Sequence, residues 1–240
     1  MLPDADTVAG RLLRLPLRLI PKTSVVTVRR GITQGMRWRV GSNTHGCWLG
    51  TYEPAKQEAV RRLVRPGMNV IDVGANAGFY TLAFASQVGD TGHVWAIEPF
   101  AENLQNLIAH VALNGLDNVT VVQAAAAARG GMAHFRAHAS NSMGRITEER
   151  TPIVVPTVSL DELCAAGIPA PDVVKIDVEG GERAVLEGAA RLLGARRTTW
   201  LVALDDRSTA RSCREMLARA GYSIAEIGGD PHEIVATPER

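Results

Sequence analysis

The chain has 240 residues, in which 26 Lys and Arg offset 25 Asp and Glu to a formal net charge of +1. That length builds one α/β domain around a sizeable core, and so even a balance excludes a field that would hold the protein on nucleic acid, leaving a small molecule as the expected partner. Cys47, Cys164 and Cys213 lie far apart with no Cys-x-x-Cys spacing, which argues against a zinc site and suits a reducing, cytoplasmic setting.

Val8–Ile20 interleaves Leu12, Leu13, Leu15, Leu17 and Leu19 with Arg11, Arg14 and Arg18, but Pro16 and Pro21 interrupt it. A packed N-terminal arm is expected rather than a membrane-surface helix, and no stretch reaches the ~18 apolar residues needed for stable membrane insertion. Ser24–Val28 and Met36–Val40, around Gly31 and Gly35, predict a small hairpin, so residues 1–52 read as an arm and hairpin that form a lid or edge. From residue 53 to 240 short apolar strands alternate with longer helical stretches, the pattern of a doubly wound, mostly parallel α/β sheet.

In that core the first strand is Asn69–Val73, followed by a helix from about Ala77 that buries Leu82, Ala83 and Phe84. His93–Ile97 is the second strand, a helix runs from Ala101 to the stop at Asn114-Gly115, and Val119–Val122 is the third strand. Arg129–Thr151 has no clear period and reads as a mobile substrate loop. Ile153–Val158 is expected at the sheet edge, then strand Asp172–Ile176, helix Glu182–Leu193, strand Thr199–Leu204, helix Thr209–Ala220, and a closing hairpin of Tyr222–Ile227 and Glu233–Ala236.

The strongest chemical signal is Val70-Ile71-Asp72-Val73-Gly74-Ala75-Asn76-Ala77-Gly78, a buried strand entering a glycine turn and then a helix. Glycine lets the backbone approach a ligand, and a helix N-terminus offers free N–H donors to a carboxylate or a phosphate. Glycines at Gly74 and Gly78 alone do not make Gly-x-Gly-x-x-Gly, which disfavours a nicotinamide dinucleotide. Glu98 ends the next strand, where a carboxylate accepts both hydroxyls of a ribose. A plain tight turn and a solvated Glu98 remain the alternative.

With Tyr52-Glu53-Pro54, Ala96-Ile97-Glu98-Pro99, Thr157-Val158-Ser159-Leu160-Asp161-Glu162-Leu163 and Val174-Lys175-Ile176-Asp177-Val178-Glu179-Gly180-Gly181-Glu182, the chain resembles the FkbM-type methyltransferases over roughly Gly50–Leu193. The resemblance implies a Rossmann-like, class I methyltransferase sheet of seven strands with a small N-terminal extension. It further implies S-adenosylmethionine as cofactor and methyl transfer to a hydroxyl of a sugar or secondary metabolite. By the same likeness Glu53, Asp72, Gly74, Asn76, Gly78, Phe79, Tyr80, Glu98, Pro99, Asn103, Ala125, Ser142 and Asp177 surround the cofactor. Ala124 and Ala125 stand where many such enzymes place an acid near the adenine. The likeness departs at Ala203, where a strand glutamate is expected.

Strand alternation points Lys175, Asp177 and Glu179 to one side, and a lysine inside an apolar strand needs a partner, for which Asp177 is expected. Methyl transfer asks for alignment and, for some acceptors, a base. Asp177 and Glu179 are the candidate catalytic groups with Lys175, and loop residues His138 and His45 are alternative bases. Asp205 and Asp206 are similar in position to acids that hold a divalent ion in catechol-type O-methyltransferases. With Asp177 they are a candidate Mg²⁺ site, although none is favoured and Asp206 equally suits a helix cap. Transfer to a carboxylate or nitrogen on a peptide or natural product, and a non-catalytic cofactor-fold subunit, are the competing functions. The pattern leaves the oligomeric state open, a dimer included.

Overall fold

The computed structural model describes residues 17, 19–137 and 144–239. The core alternates β3 (Asn69–Val73), α3 (Phe79–Val88), β4 (His93–Ile97), α4 (Ala101–Leu113) and β5 (Val119–Val122), and resumes with β10 (Val173–Ile176) and β11 (Thr199–Ala203). After α8 (Arg207–Arg219), β12 (Tyr222–Ile227) and β13 (Asp230–Pro238) close it. These strands form one sheet in the order β12-β13-β11-β10-β3-β4-β5. All pairs from β11 to β5 are parallel, and only β13 runs against its neighbours. The architecture is the Rossmann-like α/β sheet expected. Val70, Ile71 and Val73 are all fully buried because helices cover both faces, as parallel sheets require.

Strand order reverses between β3 and β10, which makes a crevice outside their carboxyl ends. The register places Lys175 of β10 directly opposite Asp72 of β3. This pairing, invisible in the local sequence, puts a cation and an anion side by side at the crevice floor.

Three readings of the sequence are corrected. The stretch expected as a loop holds β7 (Gly131–Ala137) and β8 (Gly144–Thr147), which with β6 (Ala125–Ala126) and β9 (Ile153–Val158) form a second sheet in the order β6-β9-β7-β8. Its buried face is Phe135 and Val155, with Phe135 stacked on Phe100 at 5.9 Å. The alternation was hard to see because small Ala133 and Ala137 hold the inward positions beside Phe135. β9 is therefore not an edge of the main sheet but lies inside the second one, between β6 and β7. The helix expected over 182–193 is broken into α6 (Glu182–Glu187) and α7 (Ala190–Ala195). Asp161, at the start of α5 (Leu160–Ala165), accepts the N–H groups of Arg191 and Leu192 at 2.8 and 3.2 Å and so begins α7 anew.

The N-terminal hairpin pairs β1 (Val25–Thr27) with β2 (Arg37–Arg39), followed by α1 (His45–Leu49) and α2 (Pro54–Leu63). Val28, Ile32 and Trp38 share a core cluster with Val60, Val70 and Phe84. Asn114 accepts the Arg37 N–H at 2.7 Å and donates back to its carbonyl at 3.0 Å. His110 is wholly buried and stacks on Trp38 at 3.9 Å; its Nε2 accepts the Arg39 N–H at 3.0 Å, which leaves Nδ1 as the donor to the Ala77 carbonyl at 2.6 Å. Most of the expected arm, Val8–Pro16 and Arg18, lies outside the described residues. Among the described residues no helix is long and apolar enough to cross a membrane.

Candidate active site

The turn after β3 is built by three residues in the left-handed region, Gly74 at φ 73°, Asn76 at φ 51° and Gly78 at φ 94°. Gly74 is a steric requirement as well, since a Cβ there would collide with the carbonyl oxygen of Asp177 on the neighbouring strand end. The turn delivers the chain into α3, whose N-terminus has no side-chain cap. Its first N–H groups are therefore available to an anionic group in the crevice.

A cavity of about 710 Å³ opens over this turn. Glu98 lies on its wall and is only 4% exposed. One carboxylate oxygen accepts the Asn76 N–H at 2.7 Å, while the other accepts from the Phe100 N–H at 2.9 Å and from Asn103 Nδ2 at 3.3 Å. Burial pushes the Glu98 carboxyl above the ordinary range, and these hydrogen bonds oppose the shift. The acid thus braces the turn, and the oxygen that accepts the Asn76 N–H keeps a lone pair for a further donor.

Of the residues expected around the cofactor, Gly74, Asn76, Phe79, Tyr80, Glu98, Pro99, Asn103, Ala125 and Asp177 line the cavity. Asp72 and Gly78 stand behind the wall: Asp72 is fully buried and accepts the Thr81 hydroxyl at 2.7 Å, and Gly78 packs beneath the turn against Leu107. Glu53 is also set back, accepting the Tyr80 hydroxyl at 2.7 Å. Ser142 and His138 lie outside the described residues. His45 is off the cavity, its Nδ1 accepting from Trp48 at 3.2 Å, whereas the neighbouring Asn43 and Thr44 border the cavity.

Lys175, Asp177 and Glu179 all reach the cavity. The nearest partner of Lys175 is not Asp177 but Asp72, with Nζ 3.1 Å from its carboxylate, against 3.7 Å to Asp177. The cross-strand register decides this, because directly opposite side chains share a face. Burial works against the Lys175 charge, yet Asp72 and Asp177 outweigh it and hold the ammonium above its ordinary value. Asp177 is likewise held below the usual carboxylate range, against burial, by Lys175 and by a second buried lysine, Lys56.

Lys56 escaped the sequence reading, since a lysine in an amphipathic helix reads as surface. It is 5% exposed, and its Nζ lies 2.6 Å from Glu233, 3.1 Å from Glu53 and 3.7 Å from Asp177. Glu233 of β13 sits directly opposite Ala203 of β11. A carboxylate therefore stands one strand away from the place where the strand glutamate was expected.

Glu179 follows β10 at φ 57°, outside the strand alternation assumed for it. Burial and the nearby Asp205 and Asp177 carboxylates push it up to about 7. The candidate metal site is not assembled. Both oxygens of Asp206 cap α8, accepting from Ser208 and Thr209 at 2.7 to 3.0 Å, and Asp177 is held between lysines. Among the described residues no group of three or more His, Cys, Asp or Glu is arranged to hold a metal ion.

Comparison with known proteins gives the family and the fold. The family model described as methyltransferase FkbM domain matches residues 72–224. The chain is similar in structure to a methyltransferase FkbM from Methylobacillus flagellatus KT, at 21% identity and a TM-score of 0.52 over 78% of this chain and 50% of that one. It is also similar to an S-adenosylmethionine-dependent O-methyltransferase from Thermotoga maritima, at 13% identity and a TM-score of 0.50 over 79% of this chain and 66% of that one. The chain thus spans about half the length of the first relative. No curated protein matches it in sequence.

Proposed function

Because this chain belongs to the methyltransferase FkbM family and uses S-adenosylmethionine as its cofactor, we propose that it methylates a hydroxyl oxygen on a small metabolite or sugar. The observation that carries the reading is one cavity bordered by the Glu98-braced turn on one side and by Asp177 and Glu179 on the other. Its volume of about 710 Å³ takes a cofactor of this size with an acceptor beside it. The donor set fits the cofactor too: Glu98 for ribose hydroxyls, the uncapped start of α3 for a carboxylate, and Asp177 for an ammonium. The described N-terminal segment, residues 19–52, acts as a lid, since Asn43, Thr44 and Tyr52 border the same space.

When bound, S-adenosylmethionine supplies a methyl group on a cationic sulfur, open to direct displacement. The residues of the chain align the acceptor and exclude water. Glu179, deprotonated above about pH 7, would take the proton that the acceptor hydroxyl gives up on methylation. Asp177, fixed by two ammonium groups, stays anionic throughout.

Calorimetric titration with S-adenosylhomocysteine tests the site. Wild type binds it, and Glu98→Ala loses about a hundredfold in affinity, the scale of one or two charged hydrogen bonds. Equal affinity in the variant would remove Glu98 from the cofactor site. An acceptor panel with labelled S-adenosylmethionine then tests oxygen specificity; labelled products only on nitrogen or carboxylate would overturn it.

A further inference from the structure

Lys56 joins three parts of the chain that are distant in sequence. It sits in the first turn of α2, and its ammonium is shared by Glu53 at the start of that helix, Asp177 at the end of β10 and Glu233 in β13. Of these partners only Asp177 reaches the cavity. The ammonium also lies 5.5 Å from the Tyr80 ring, and Lys175 lies 5.4 Å from it. Tyr80 is thus held between two buried cations, with its hydroxyl on Glu53.

A buried lysine needs compensation several-fold stronger than an exposed one, and a buried carboxylate that loses its counter-ion must protonate or move. Without Lys56, three carboxylates would crowd together with Lys175 as the nearest remaining cation, 3.7 Å from Asp177 and already committed to Asp72 at 3.1 Å. Asp177 would then be drawn to Lys175 alone, out of the place it holds between the two ammonium groups. Glu233 takes part because it is the closest partner of Lys56, and because β13 pairs with β11 and so fixes the C-terminal hairpin to the sheet.

We propose that Lys56, clamped by Glu233, is a positioning residue that sets the place and charge of Asp177 at the cofactor. The C-terminal hairpin, which contributes nothing to the cavity lining among the described residues, thereby tunes the site from behind. The inference rests on the cofactor role given to Asp177 above.

The test is a double-mutant cycle read by calorimetric affinity for S-adenosylhomocysteine, with thermal unfolding of every variant. Lys56→Met weakens binding about tenfold and Glu233→Gln about threefold, while Lys56→Arg stays within about twofold of wild type, as coupled contacts do. In an Asp177→Asn background, Lys56→Met changes affinity by less than about twofold, because its effect runs through Asp177. A merely structural lysine gives additive losses in both backgrounds, and that result overturns the proposal. Unchanged affinity in both Lys56→Met and Glu233→Gln overturns it too. If Asp177→Asn alone leaves affinity unchanged while Glu98→Ala abolishes it, the role of Asp177 is what fails and the clamp falls with it. No binding by wild type would remove the site assignment itself.

Discussion

Acid unfastens the N-terminal hairpin through His110. Its two ring nitrogens are both committed, Nε2 as acceptor from Arg39 and Nδ1 as donor to Ala77, so a second ring proton would face the Arg39 N–H and break that bond. Burial lowers its pKa from 6.5 to about 4, with Arg39 adding to the effect and the Ala77 carbonyl opposing it. The folded value lies below the unfolded one, so the unfolded chain takes the proton first. The stabilisation is complete above about pH 6.5 and is lost as pH falls towards 4. At about 1.4 kcal/mol per pH unit the loss reaches about 3 kcal/mol, or roughly 6 to 12 °C in unfolding midpoint for a chain of this size. The assay compares wild type with His110→Gln, which keeps a donor and an acceptor but does not titrate, by thermal unfolding from pH 7 to 4. The raised carboxylates Glu98, Glu179 and Glu233 titrate in both proteins and cancel in the difference. Parallel curves for the two proteins would refute the reasoning.

Three further outcomes are expected. Glu179→Gln lowers kcat by about a hundredfold or more with little change in KM, as loss of a general base does, and the fall of wild-type rate below about pH 7 disappears from its pH profile. A profile of unchanged shape would exclude Glu179 as the base. Gly74→Ala combines a left-handed backbone with a collision against the Asp177 carbonyl, and destabilises by at least about 3 kcal/mol in denaturant unfolding; a variant as stable as wild type would contradict the close approach of the β3 and β10 ends. Asp206→Ala lowers the unfolding midpoint by removing the α8 cap but leaves S-adenosylhomocysteine affinity as it was; weakened binding would give Asp206 a part in the site.

The strands and the glycine turn were legible because their causes are local. Asn69–Val73 is mostly apolar and runs into Gly74, and Asn114-Gly115 ends a helix wherever the helix is packed. Asp72, Glu98 and the Lys175-to-Glu179 stretch could be singled out for the same reason, as charges at the ends of apolar strands. The use each is put to was decided elsewhere. Lys175 takes Asp72 because the β3–β10 register sets them opposite, and no spacing within either strand contains that register. Glu98 braces the turn through the backbone of Asn76, which depends on how β4 lies beside β3. The second sheet stayed hidden because alanines fill its inner positions and its one large inner side chain, Phe135, finds its stack only when Phe100 arrives from the other side of β5. Lys56 and Glu233 carry no local mark at all. A lysine in an amphipathic helix and a glutamate near the C-terminus are ordinary surface residues until the sheet closes, and burial then makes each the answer to the other's charge. Sequence determined which residues have chemistry; the tertiary fold decided which of them meet, because desolvation and register exist only once distant segments are packed.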